Sequence, residues 1–402
     1  MIRSSIKQIT PRIAIMLTNQ LATLISIPWL VMHMDTYHFG LVATSLILIQ
    51  LGQVICNWDF LNYINEVWHD NLTQLKKNKL VTNIFVSQLI LFIFFIAIIF
   101  ALVGIKIIIL PWGFLIASSL CIFFGGITPL WFYHVNKKAS ELVKITLISR
   151  LIFLALVIFC VKNDEDAETY IYLLAATFML ITVYGLIRMY FKYDFRWQAI
   201  NFLHIFKHLR SSFHFLLNSL GNQQIHVLWG FALTLTQSPA IIALFSLADQ
   251  VYRAGTAITS SVSEVIRLNT KVSQMTKIWR TVLFFLSIYI LFAITGIISI
   301  SFFIQAFFST DYLPSIPIIQ IIIFVWLLQS IIRLINYPVL GKVIGIKAVH
   351  KLTIYFLLGH ALFIACWILT KQGLLAMTEF FLIASLIQLL VMLIFTFKKH
   401  NH

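Results

Sequence analysis

Acidic residues are scarce in this chain: 14 Asp and Glu stand against 29 Lys and Arg in 402 residues. Charged residues together make up 11%, where a soluble globular protein carries about 25%, so a soluble protein of this length is excluded. Cysteine is sparse too. Cys56, Cys121, Cys160 and Cys366 lie inside or at the ends of apolar segments. Their spacing fits neither a metal site nor a disulfide framework, and they read as small buried hydrophobes. No Gly-rich phosphate loop, His-Glu-x-x-His run or nucleophile elbow occurs. An ATPase motor within the chain is therefore not expected, nor is a bound cofactor or metal. No polar stretch is long enough to bury a core of its own. Arg3 and Lys7 precede a long first apolar stretch that reads as a retained helix rather than a cleaved leader.

Apolar residues are abundant, at 60%, with 36 Phe. They fall in about twelve runs: 10–33, 39–60, 80–104, 107–133, 142–161, 169–190, 209–230, 233–255, 281–303, 314–336, 350–370 and 374–396. Each run can cross about 30 Å of hydrocarbon at about 1.5 Å per residue. The runs are continuous rather than alternating, which predicts helices and excludes a β-barrel. The expected class is thus an all-α polytopic membrane protein. All of the 29 Lys and Arg except Lys106, Lys162 and Lys371 then lie on one side of the ladder. That asymmetry places both termini in the cytoplasm of a bacterial inner membrane. The basic excess is spread over every loop of that side, where it meets anionic lipid, so it does not form the concentrated face that nucleic acid requires.

A long cytoplasmic connection after the sixth run divides the chain into two six-helix lobes, 1–205 and 206–402. Two halves of six spans share one orientation, as in parallel-repeat transporters. The segment 191–208, "FKYDFRWQAINFLHIFKH", interleaves basic with aromatic residues and suits an interfacial helix. The external loop "KNDEDAE" carries Asp164, Glu165, Asp166 and Glu168. It reads as a solvated cap or as a cation screen at an outer mouth.

Polar groups inside apolar runs carry the functional information, because charge in hydrocarbon normally faces a bundle interior or a water-filled cavity. Asp249 and Arg253 are four residues apart, hence on one helix face, and can neutralise each other. Arg150 and Arg333 either face inward or snorkel to headgroups. Asp59 closes the second run as an inward acid or a helix-end residue in water. Gln50, Gln53 and Asn57 form one helical stripe. His214, Asn218, Gln224 and His226 make the seventh run unusually polar. They fit a polar cavity or hydrogen-bonded contacts between helices, and histidine is the residue type suited to carrying a proton at physiological pH, although a lone one in a membrane is more often a fixed hydrogen-bond partner.

Three stretches carry a resemblance. "IPWLVMHMDTYHFGLVATSLILIQLGQVICNWDF" resembles the first two helices of bacterial polysaccharide repeat-unit (O-antigen and capsule) flippases. These belong to the multidrug, oligosaccharidyl-lipid and polysaccharide exporter superfamily. The likeness runs through Pro28, Tyr37-x-Phe39-Gly40 and the acidic-aromatic helix end. That end reads Asn57-Trp58-Asp59-Phe60, where the family has Asp-x-Gly-Phe. A second stretch is similar in Pro129, Trp131, Phe132, Arg150, Lys162, Asp164 and Asp166, with Tyr133-His134 in place of the family's Gln-Gly. The third, "SSFHFLLNSLGNQQIHVLWG", resembles the opening of the family's second half, although the proline expected after the eighth span is missing from "SEVIRLNT".

The resemblance implies twelve helices in two lobes around a central cleft. The implied substrate is undecaprenyl pyrophosphate carrying an oligosaccharide repeat unit, turned from the cytoplasmic to the periplasmic leaflet. Glycosyltransferases, a polymerase and a chain-length regulator are the implied partners, and the transport unit is expected to be monomeric. On this reading Arg253, Arg150 and Arg333 would grip the pyrophosphate, since guanidinium forks match its oxygens. Gln50, Gln53, Asn218 and Gln224 would meet the sugars. Asp249, Asp59, His214 and His226 are the candidates for coupling to a proton or sodium gradient. The competing readings are an ion-coupled drug exporter of the same superfamily and a multi-pass glycosyltransferase or polymerase. The embedded arginines argue against a cationic drug. The short loops argue against the enzyme.

Overall fold

Helices run almost without interruption through the apolar segments, and they end where the chain offers a cap or a forced turn. The computed structural model describes residues 18, 22–23, 25–69, 71–222, 225–269 and 275–400. All regular structure among them is helical. The chain forms two compact units, one ending at Leu220 and the other running on from Gly221.

In the first unit, α1 (Thr36–Asn57), α2 (Phe60–Val67), α3 (Gln74–Gly104), α4 (Trp112–Ile127), α5 (Leu130–Val135), α6 (Ser140–Cys160) and α7 (Ala167–Lys192) follow in order. The helix α8 (Phe202–Asn222) straddles the division. The second unit contains α9 (Ile225–Thr234), α10 (Pro239–Asn269), α11 (Met275–Phe307), α12 (Ser315–Ile335), α13 (Ile346–Thr370) and α14 (Leu374–His400).

Among the described residues, 9 helical stretches are long and apolar enough to cross a membrane. The expected runs missing from that set are 10–33, half of which lies outside the described residues, 209–230 and 233–255. The last falls on α10, which is longer than a span but carries Asp249, Gln250 and Arg253. Those three side chains are buried, and α10 packs most extensively on α12. A helix enclosed by other helices need not be apolar on every face, so hydropathy alone underrates it.

Capping explains several boundaries. Asp35 caps α1, its Oδ1 accepting from the His38 amide at 2.7 Å, and Thr73 caps α3 by accepting from the Lys76 amide at 3.4 Å. Each satisfies a backbone donor that the first turn leaves open. The acidic loop at 163–168 behaves in the same way. Asn163 and Asp166 form a capping box, and Asp164 Oδ1 accepts from the Asp35 amide at 2.8 Å.

The break between α1 and α2 is more costly. Trp58 and Asp59 both have left-handed backbones, with φ of 46° and 52°. Asp tolerates that region better than most residues, whereas Trp does not. The Asp59 carboxylate accepts from Asn62 Nδ2 at 2.8 Å, and the Trp58 indole donates to the Leu209 carbonyl at 3.2 Å. Asp59→Gly should preserve the break and the melting temperature of the purified protein. Asp59→Val should lower stability by about 1–2 kcal/mol, because a β-branched residue is strained at this φ. Retained transport by Asp59→Gly would remove Asp59 from the coupling candidates.

The aromatic motif that follows α4 is buried structure. Trp131, Phe132 and Tyr133 are all buried in a cluster with Phe60, Tyr63 and Phe85. The Tyr133 hydroxyl donates to the Gly185 carbonyl on α7 at 2.7 Å. A second contact fixes α1 on α4. A Cβ at Gly52 would stand 2.8 Å from Ile122, and one at Gly126 would stand 2.6 Å from Cys56 Cβ. Small residues on both helices let the backbones approach, the usual solution where lipid removes the hydrophobic drive for association.

Candidate functional site

The charged candidates of the second unit come together. On α10, Arg253 Nε lies 3.6 Å from Asp249 Oδ2, and Arg253 Nη2 donates to Gln250 Oε1 at 2.8 Å. On α9, His226 Nε2 lies 4.0 Å from Asp249 Oδ1, too far for a hydrogen bond, and its ring lies 5.1 Å from that of Tyr252. On α12, Arg333 Nη1 donates to Ser260 Oγ at 3.1 Å, while Ser263 Oγ donates to the Arg333 carbonyl at 2.9 Å. Both arginines are buried, with relative exposures of 7% and 8%. Neither guanidinium snorkels to a headgroup. Among the described residues, both ring nitrogens of His226, Asp249 Oδ1 and Arg253 Nε have no hydrogen-bond partner. Buried polar atoms are seldom left so.

This arrangement follows from spacing. Residues 249 and 253 are one helical turn apart, which brings their side chains onto one face. The Arg253 contact is loose: at 3.6 Å it lies outside hydrogen-bond range. Arg253 is held by Gln250 and attracted by Asp249, and its Nε–H remains available to another acceptor.

A neighbouring network joins Trp229, an aromatic the sequence offers for sugar contact, to three residues that sequence reasoning passed over. The Trp229 indole donates to His360 Nδ1 at 3.2 Å. His360 Nε2 must then carry the ring proton, so it donates to Gln388 Oε1 at 3.1 Å. Gln329 Nε2 donates to the same oxygen at 3.0 Å and to Ser385 Oγ at 3.0 Å. Trp229 stacks on Phe381 with ring centroids 5.2 Å apart. The available signal was an amide or imidazole within each of three largely apolar runs, Gln329, His360 and Gln388, although Gln320 and Arg333 share the first run and Glu379 the third.

The remaining candidates are dispersed. Arg150 belongs to the first unit, where its guanidinium donates to Thr177 Oγ1 at 3.0 Å and lies 4.7 Å from the Phe178 ring. It is buried between α6 and α7 and does not snorkel. Gln53 Nε2 donates to the Cys121 carbonyl at 3.1 Å and so ties α1 to α4, while Gln50, on the same helix, is half-buried. Asn218 is buried on α8, and His214 is exposed beside Phe215. Gln224 lies outside the described residues. Near the start of α8, Tyr63 hydrogen-bonds His208 Nδ1. Burial, aided by His204 and Lys207, holds that imidazole below its ordinary pKa.

No protein-family model matches the sequence, and no curated protein matches it. Solved structures do. The lipid II flippase MurJ, in its inward closed conformation, is similar at a TM-score of 0.65 over 98% of this chain and 87% of that chain, with 14% identity. A multidrug resistance MATE family transporter of the MOP superfamily, in an inward-facing conformation, is similar at a TM-score of 0.55. It covers 98% of this chain and 96% of that one, with 12% identity. The chain has the fold of these transporters. At such identities the likeness concerns backbone architecture, and the side chains must be argued on their own chemistry.

Proposed function

We propose that the chain is a bacterial inner-membrane flippase. It turns undecaprenyl-pyrophosphate-linked oligosaccharide repeat units from the cytoplasmic to the periplasmic leaflet for surface polysaccharide assembly. The observation that carries this reading is the buried Arg253, aligned with Asp249 yet with an Nε–H that has no hydrogen-bond partner among the described residues. A guanidinium with a spare donor in a membrane-embedded helix bundle suits a phosphate oxygen better than a cationic drug. Gln250 holds Arg253, and His226 lies beside Asp249, so further hydrogen-bonding groups are at hand.

The physical task is to lower the cost of moving a pyrophosphate and its sugars through hydrocarbon, which is large for unpaired polar groups. A hydrated polar path does so while the polyprenyl tail stays in lipid. In this reading twelve helices form two six-helix lobes with both termini cytoplasmic, and turnover alternates the access of the path. Arg253, Arg333 and Arg150 bind the pyrophosphate, while Gln50, Gln53, Asn218 and Gln224 meet the sugars. Asp249 and His226 are the favoured carriers if a proton or sodium gradient drives exchange. Glycosyltransferases, a polymerase and a chain-length regulator act before and after this step.

Reconstituted protein should expose a labelled polyprenyl-pyrophosphate oligosaccharide to an enzyme outside the vesicle, without ATP. Deletion of the gene should leave repeat units in the inner leaflet and remove the surface polymer. Normal polymer in a deletion strain lacking a second copy would sink the proposal, and drug efflux by the same vesicles would favour the exporter. Orientation is tested separately. Reporter fusions at Asn163 and Asp311 should read periplasmic, and fusions at Asn78 and Asn201 cytoplasmic. A cytoplasmic signal from Asn163 would invert the first half.

A further inference from the structure

The last two helices do not close on each other along their whole length. Near their shared turn they are joined: the Phe363 and Phe380 rings lie 6.2 Å apart, and the Trp367 indole donates to the Gly373 carbonyl at 3.4 Å. Away from that turn a groove of about 450 Å³ separates α13 from α14, within the usual range of ligand sites. Its lining residues, Ala348 through Phe363 on one helix and Ala384 through Phe395 on the other, recur at spacings of three and four. Each set is therefore a single helix face. Small residues keep the groove open. A Cβ at Gly359 would meet nothing within 4 Å, and Ala348 and Ala384 line the walls.

The groove is apolar apart from His360, Gln388, Lys351 and the hydroxyl of Tyr355. His360 and Gln388 hydrogen-bond each other at its base. Lys351 lies at the open end, exposed, on the side that the positive-inside pattern assigns to the cytoplasm. The run from Ala348 to Phe363 spans roughly 22 Å at about 1.5 Å per residue. That is about one and a half times the ~15 Å depth of one leaflet's hydrocarbon, enough for an acyl chain and the headgroup level above it. The outer side faces lipid, since Leu358, Leu362 and Leu390 are all exposed.

We propose that this groove binds an anionic phospholipid of the cytoplasmic leaflet, with one acyl chain lying between α13 and α14 and its phosphate at Lys351. The length fits one leaflet-deep chain. A much longer polyprenyl chain would leave most of itself outside. Lys351 supplies the complementary charge, as basic residues between cytoplasmic helix ends do for acidic headgroups. This site is independent of the transport reading, because lipid retention is measured without any substrate.

The test is native mass spectrometry of the full-length purified protein, titrated with phosphatidylglycerol and phosphatidylcholine of equal chain length. Wild type should retain phosphatidylglycerol preferentially. Lys351→Gln should lower that retention about fivefold, the weight of one basic side chain at an anionic surface, and leave phosphatidylcholine unchanged. Gly359→Phe should fill the groove and abolish retention of both lipids. If that variant fails to fold, Ala348→Leu serves the same purpose. A phosphatidylglycerol with a photoreactive chain end should label peptides from 348–363 and 384–395. Equal retention of the two lipids by wild type, or unchanged binding by a folded groove-filling variant, would overturn the proposal. Displacement of the photolabel by polyprenyl phosphate at equal concentration would also overturn it, by assigning the groove to the carrier lipid.

Discussion

Arg253→Ala should abolish transport and lower stability by about 3–5 kcal/mol, because it leaves the Asp249 carboxylate buried without its cation. Arg253→Lys should insert and fold. It restores a charge near Asp249 but not the planar fork, so transport stays impaired. The double change Asp249→Asn with Arg253→Ala separates the two roles. Without a carboxylate to neutralise, most of the lost stability returns. Asp249→Asn alone is the control, since Asp249 is itself a coupling candidate: where that variant transports, a double variant that also transports assigns Arg253 to Asp249 alone, and one that does not assigns it to the headgroup. The measurements are substrate flipping in vesicles at matched protein level and thermal unfolding in detergent. Wild-type flipping by either single variant would place Arg253 outside the substrate path.

The second large effect lies in the first unit and has nothing to do with charge. Gly126→Leu should force α4 away from α1, since even a Cβ there would stand 2.6 Å from the Cys56 Cβ. Overpacking of this kind costs about 1–3 kcal/mol per site. The displacement should also break the Gln53 hydrogen bond to the Cys121 carbonyl. The informative control is a second substitution on the facing helix. Cys56→Gly added to Gly126→Leu opens space where the new side chain projects, and it should recover much of the melting temperature. Gly126→Leu with a wild-type melting curve would show that the two helices are not held at this separation.

Much of this architecture is legible in the sequence. Apolar run length is dictated by membrane thickness, so helices such as Gln74–Gly104 and Leu374–His400 announce themselves. The Asp249–Arg253 pairing is legible for an equally local reason, since four residues make one helical turn. The polar network of Trp229, His360, Gln388 and Gln329 is different. Its members come from four helices, and no local rule relates residue 229 to residue 360. The Trp58–Asp59 break was visible only as a missing glycine. That a tryptophan would accept a left-handed backbone there is a tertiary outcome, fixed in part by its bond to Leu209. The aromatic motif at 131–133 stood out as a pattern in the sequence, and the structure places it in buried packing.

The buried polar helix α10 has a consequence for how the chain is made. A segment reaching the translocon can leave sideways into lipid only if it is apolar enough, and Asp or Arg near its middle costs about 2.5–3.5 kcal/mol each on insertion scales. Asp249 and Arg253 sit within α10, and the helix that covers it most extensively, α12, is synthesised later. Helices such as α3 and α4, which carry no charge near their middle, can therefore partition one by one as they emerge. The opening of the second unit has to wait at the exit site, or be held by an insertion chaperone, until its covering helix arrives. Ribosome-bound chains truncated before residue 315 should thus remain crosslinked to the insertion machinery through α10, while their first-unit helices have already been released to lipid.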